Sequence, residues 1–120
     1  MIDGILALMV SFVIDGDTFI AHDVAGYEHR IRLWGIDAPE LKEQGGENSR
    51  RFLQRLVDNS KENVTCYVLG YDNYDRTVAR CLDDNFIDLA CVMIETGHAE
   101  EWFYFSDGYY QRRGCIHDQR

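Results

Sequence analysis

The sequence predicts an α+β domain, mainly β, and three observations carry that expectation. Short apolar or alternating runs recur along the chain, each bounded by Asp-Gly, Gly or Asn turn residues. Only two longer stretches show the 3.6-residue apolar period of a helix. No repeat, low-complexity tract or linker divides residues 1–120, a length that suits a single domain with a modest core.

Taken in order, Leu6 to Ile14 is a nearly continuous apolar run suited to a buried strand. Asp15-Gly16-Asp17 is a turn of the Asp-Gly type, and Thr18 to His22 resumes the strand. Val24 to Tyr27, with Gly26, turns the chain into a third strand, Glu28 to Gly35. There Ile31, Leu33 and Gly35 alternate against Arg30, Arg32 and Trp34, and Gly35 opens a turn holding Asp37, Pro39 and Glu40. Leu41 to Asn48 is a polar loop with Gly45-Gly46. Glu47 to Asn59 reads as a helix with Phe52, Leu53, Leu56 and Val57 on one side and Asn59 as its stop.

Val64 to Leu69 and Arg76 to Leu82 are the fourth and fifth strands, joined by the polar turn Gly70 to Asp75. Asp88 is placed to cap a second helix, Leu89 to Thr96, and Gly97 sits where a left-handed C-terminal residue belongs. A third short helix begins near Gly108. Five strands, one helix between the third and fourth and the others after the fifth, match a five-stranded OB-type barrel with two to three helices packed on it. Such barrels commonly bind oligonucleotides, but a fold alone decides no function.

Charge argues the other way. A net charge of −9 makes nucleic acid a poor default ligand, because phosphates are repelled. A polyanionic substrate would require a divalent cation in the site or a local cluster of arginines. The basic residues are mostly arginine, with Lys42 and Lys61 the only lysines. Arg50, Arg51 and Arg55 read as a solvated helix face. The stretch Ile31 to Glu40 brings one guanidinium, Arg32, close to two carboxylates, Asp37 and Glu40. Two like charges so close are costly unless a cation joins them. The other reading is an arginine–carboxylate surface network beside an ordinary turn.

Cys66, Cys81, Cys91 and Cys115 lack any zinc-binding spacing. They are free core thiols or one or two disulfides, and Cys66 and Cys81 could neighbour each other in a hairpin. Their even count favours an oxidising setting, secreted or periplasmic. Met1 to Phe12 lacks the basic start and cleavage site of a signal peptide, and no membrane span is read. The aromatic tail, Trp102, Phe103, Tyr104, Phe105, Tyr109 and Tyr110, reads as a cover packed over a groove in the core.

Three motifs in order, VIDGDTF at Val13 to Phe19, IRLWGIDAPE at Ile31 to Glu40 and YDNYDRTVARC at Tyr71 to Cys81, resemble the staphylococcal nuclease (thermonuclease) family. The helix at Ile87 to Glu100 resembles that family's second helix. The resemblance implies a Ca²⁺-dependent endonuclease hydrolysing phosphodiester bonds of DNA, RNA or both; the chain is further expected to act as a monomer, with no membrane partner. It implies that Asp17 and Asp37 ligate the ion with the main-chain carbonyl of Ala38, and that Glu40 joins through a water it positions or deprotonates. Arg32 and Arg76 match the phosphate-binding arginines, and Tyr74 a tyrosine near the nucleotide. Phe103 and Phe105 stand where the family has two binding-site tyrosines, which makes Phe103 a substrate contact. Asp15 matches an acidic neighbour whose effect on the metal is indirect. The alternative is an inactive nuclease-like barrel that binds nucleic acid or protein.

Overall fold

The computed structural model describes residues 4–117. In chain order its elements are β1 (Ile5–Asp15), β2 (Thr18–His22), β3 (Glu28–Leu33), β4 (Ile36–Asp37), α1 (Gly46–Asn59), β5 (Asn63–Tyr71), β6 (Thr77–Leu82), α2 (Leu89–Glu95), β7 (Glu100–Glu101), α3 (Phe103–Ser106) and α4 (Tyr109–Arg112). Five strands close into a barrel in the order β1-β2-β3-β6-β5. Strands β3 and β6 run parallel, and the other neighbours are antiparallel. This is the mixed, mainly β barrel of the OB type that the strand pattern predicts. Among the described residues no helix is long and apolar enough to cross a membrane.

The barrel closes around alternating side chains. Val13, Phe19, Ile31 and Leu33 point inward and are fully buried. Leu53 and Val57 of α1 and Leu89 and Met93 of α2 complete the core, also fully buried. Each such side chain stabilises the fold by about 1.5–3 kcal/mol. Asp88 caps α2 as expected, accepting from the backbone N–H groups of Ala90 and Cys91 at 2.9 and 3.2 Å. Gly97 takes the left-handed conformation, with φ of +77°. Cys66 and Cys81 are cross-strand partners on β5 and β6 and form a disulfide, while Cys91–Cys115 ties α2 to the tail.

The third strand is shorter than the alternation predicts. It stops at Leu33, because Gly35 turns with φ of +79°. The chain then returns as β4, which pairs with β7 in a separate two-stranded sheet. The tail divides into two parts. Tyr110 is fully buried and its hydroxyl donates to the Trp34 carbonyl at 2.8 Å, so this part of the tail packs onto the core, as expected of a cover. Burial, with the nearby Asp88 charge, raises the Tyr110 phenol pKa well above its usual value. Trp102, Phe103, Tyr104 and Phe105 instead remain exposed. The Glu101 carboxylate docks the tail, accepting from the Ser106 hydroxyl at 2.5 Å and the N–H groups of Tyr110 and Gln111 at 2.9 Å each.

Candidate nucleic-acid cleavage site

Three chain turns meet beside β3. The first follows β1, where Gly16 is held against α1 and the β4 turn. A Cβ there would lie 2.7 Å from Ser49 Cβ and 2.8 Å from Ala38 Cβ, so only glycine permits the approach. That packing sets Asp17, which is 6% exposed. Its Oδ1 accepts from the Thr18 hydroxyl and its Oδ2 from the Ala38 N–H, both at 2.9 Å. The first and second turns are thereby joined through a single carboxylate.

Arg32 projects from β3 between two acids. Its terminal nitrogens lie 3.5 Å from Asp17 Oδ2 and 3.9 Å from Asp37 Oδ1, with the Asp37 side chain 68% exposed. Its shortest contact is a donation to the Leu33 carbonyl at 2.8 Å. Ion pairs this long leave the guanidinium donors not given to Leu33 free for a further ligand. Burial, and then the Asp17 charge, raise the Asp37 carboxyl above the usual carboxylate range. Burial and Asp17 push Asp15 up to about 6. Negative charge is therefore under-compensated around Asp17. The carboxylates of Asp17 and Asp37 and the Ala38 carbonyl are hard oxygen donors, a set whose chemistry fits Ca²⁺.

Glu40 is positioned by the loop into α1. Its N–H donates to Glu43 Oε1 at 2.7 Å, and its carbonyl accepts from the Glu43 N–H at 2.9 Å. A Cβ on Gly46 would lie 1.9 Å from the Glu40 carbonyl oxygen, so the helix start clamps this loop through a glycine. Among the described residues the Glu40 carboxylate enters no hydrogen bond or ion pair, unlike Asp17.

The third turn brings Arg76. Its Nε donates to Asp72 Oδ2 at 2.7 Å, and its backbone N–H donates to Asp72 Oδ1 at 3.0 Å. Burial opposes ionisation of Asp72, yet these donors, with the Tyr74 N–H, hold its carboxyl below the usual range. Anchoring is through Nε, and among the described residues neither terminal nitrogen of Arg76 enters a hydrogen bond. Arg32, Arg76 and Tyr74 line one cavity of about 500 Å³, with Trp34, Trp102 and Phe105 also on its wall. Arg76 lies 5.3 Å from the Tyr74 ring centre and Arg32 lies 5.9 Å from that of Trp102.

Of the sequence-predicted residues, Asp17, Arg32, Asp37 and Ala38 thus form one connected cluster. Arg32, Tyr74 and Arg76 share the cavity, and Glu40 stands on the adjoining turn. Phe103 is not on the cavity wall. Phe105, the other residue standing at a binding-site tyrosine of the family, is on it, as are Asp72 and Trp102, to which the motifs assign no substrate contact. Asp72 has a signal, its four-residue spacing from Arg76 across a turn. Cys91, Glu95 and Cys115 also lie together, but the two sulfurs are already joined to each other and offer no thiolate.

Comparison with known proteins bears on this geometry. The staphylococcal nuclease homologue family matches residues 30–116. A probable staphylococcal-like nuclease of Oryza sativa subsp. japonica is 36% identical over 77 residues, covering 64% of this chain and 20% of that protein. A probable endonuclease of Phaeosphaeria nodorum is 30% identical over 100 residues, covering 76% of this chain and 32% of that protein. An uncharacterized endonuclease of Escherichia coli is 33% identical over 92 residues, covering 77% of this chain and 57% of that protein. The chain therefore spans between 20% and 57% of the length of these relatives. The family match begins after the Asp17 turn, which the contacts of Asp17 with Arg32 and Ala38 tie to the rest of the site. With most of its length matched and its barrel and arginine-lined cavity described, this chain belongs to the staphylococcal nuclease homologue family.

Proposed function

We propose that this chain is a Ca²⁺-dependent nuclease that hydrolyses phosphodiester bonds of DNA, RNA or both. The observation that carries the reading is the pairing of two arginines on one cavity wall, with Arg32 facing Asp17 and Asp37, in a chain of net charge −9. Arg32 and Arg76 take the non-bridging phosphate oxygens as planar, multiply donating partners. Charge gathers on those oxygens as the nucleophile attacks, so fixed donors there stabilise the transition state more than the ground state. Asp72 holds Arg76 in that orientation. Glu40, its carboxylate unpaired, orients a water and takes its proton. Asp17, Asp37 and the Ala38 carbonyl would hold Ca²⁺, which supplies positive charge toward the phosphate and lowers the pKa of an associated water. Trp102, Phe105 and Tyr74 offer ring faces on which unpaired bases stack.

The test is a cleavage assay on single-stranded DNA in Ca²⁺ with the Glu40→Gln variant. The expected result is a fall in kcat of about a hundredfold or more at nearly constant KM. An unchanged kcat in a variant of native circular dichroism contradicts the role given to Glu40.

A further inference from the structure

A second cation–aromatic cluster adjoins the cavity. Trp34, on the cavity wall, meets Tyr109 edge-on, with ring centres 5.4 Å apart. Arg80 and Arg113 bracket that same tyrosine, with guanidinium carbons 5.1 and 3.6 Å from its ring centre. Arg80 also lies 5.7 Å from the ring of Tyr67, its cross-strand partner on β5.

Two features make this more than packing. Among the described residues Arg80 and Arg113, like Arg30, Arg55 and Arg112, form no ion pair, although the chain carries 21 acidic residues, and of these five only Arg80 and Arg113 meet on one ring. Asp88 feels both guanidinium charges, yet it is turned to the backbone N–H groups at the start of α2 and pairs with neither. Arg113 gives one terminal nitrogen to the Tyr109 carbonyl at a long 3.5 Å, and the N–H groups that neither guanidinium spends on the ring are the part that grips phosphate. The second feature is alignment. Ala79 and Cys81 are buried inside the barrel, so Val78 and Arg80 share the outer face of β6. Val78 lines the cavity, and Arg80 lies about 13 Å along the strand direction from Arg76. The Cys91–Cys115 bridge fixes the chain just beyond Arg113.

We propose that Arg80 and Arg113, stacked against Tyr109, form a second phosphodiester-binding station that holds a single-stranded nucleic-acid backbone a few nucleotides from the scissile bond. The proposal rests on the nuclease reading of the cavity. It explains how an acidic chain retains a long polyanion: positive charge is placed locally along the strand's path, not spread over the surface. The station matters only for substrates long enough to reach it.

The test compares the parent with Arg80→Gln/Arg113→Gln on a dinucleotide substrate and on a long single-stranded oligonucleotide, in Ca²⁺. The ratio of KM for the long substrate to KM for the short one should rise about tenfold. The slope of log KM for the long substrate against log salt should flatten by about 1.4, about 0.7 for each phosphate no longer neutralised. A ratio that stays constant overturns the proposal, whether both KM values move together or neither moves. Arg113→Gln alone, at an exposed position, should show the same change at about threefold, which guards against a loosened β6. Anisotropy of the labelled oligonucleotide reads the station without catalysis. If the parent cleaves neither substrate, the nuclease reading fails, while equal affinity of parent and double variant would refute the station on its own.

Discussion

One cavity of about 500 Å³ lies between the ends of β3 and β6 and the aromatic tail, and a second of the same volume is lined by residues that include Met9, His22, Asp23, Val24, Asp83 and Phe86. Both expose aromatic and aliphatic carbon. In the first, Arg32 and Arg76 keep donors free, because their acidic partners are distant or engage only one edge. In the second the acids are Asp23, Asp83 and Asp84, and the first two are already committed to turns. Asp23 accepts from the N–H groups of Ala25 and Tyr27 and meets His29 at 2.8 Å, and Asp83 accepts from Asn85 and Ile87. The hydrogen bond to His29 holds the Asp23 carboxyl below its usual range. A phosphate would find free donors in one cavity and negative charge in the other. Equal volume thus conceals opposite chemistry, and polar groups left unsatisfied by the fold point to a ligand better than empty space does.

Removing a free donor from the first cavity puts this contrast under the greatest strain. Arg32→Ala or Arg76→Ala should lower kcat/KM for single-stranded DNA by about a thousandfold. Phe86→Ser in the second cavity should leave it within about twofold. Equal losses from the two cavities would dissolve the distinction. Trp102→Ala removes a stacking face and should raise KM about tenfold with kcat little changed, as measured on an oligonucleotide substrate.

The smallest expected effect is on stability. Folded Asp15 keeps its proton up to about pH 6, whereas an ordinary aspartate titrates at 3.8. For an acid with a raised folded pKa, ionisation opposes folding as pH rises through that window. Asp15→Asn keeps the oxygen that accepts the Asp17 N–H. In chelator it should therefore add about 1 kcal/mol above pH 6, allowing for solvent screening, and nothing below about pH 4. Urea unfolding at both pH values measures this. A gain that persists at low pH would show that the substitution acts through packing.

Most of the barrel is legible in the sequence because strand alternation and turn residues are local signals. Ile31 and Leu33 are buried, as their alternation against Arg30 and Arg32 predicts. Asp88 and Gly97 mark both ends of α2. The β4–β7 pair is not legible, since two residues show no period. The same limit explains the tail. Phe103 and Phe105 would share a face in an extended chain, where the period is two. In the short helix α3 they stand about 200° apart, so Phe105 lines the cavity while Phe103 lies beside Gly108. Glu101, which carries no sequence signal of its own, anchors the tail through three accepted hydrogen bonds. Asp17, Arg32 and Asp37 are visible as motif residues. Their convergence depends on Gly16 and Gly46, whose close contacts exist only once the chain is folded.

The most direct test is cleavage of single-stranded DNA by the unaltered chain, first in Ca²⁺ and then with a chelator in excess. Hydrolysis should stop on chelation and return when Ca²⁺ is restored, with circular dichroism unchanged throughout. Hydrolysis at the same rate in chelator, or none in Ca²⁺ from a folded chain, would overturn the Ca²⁺-dependent nuclease assignment.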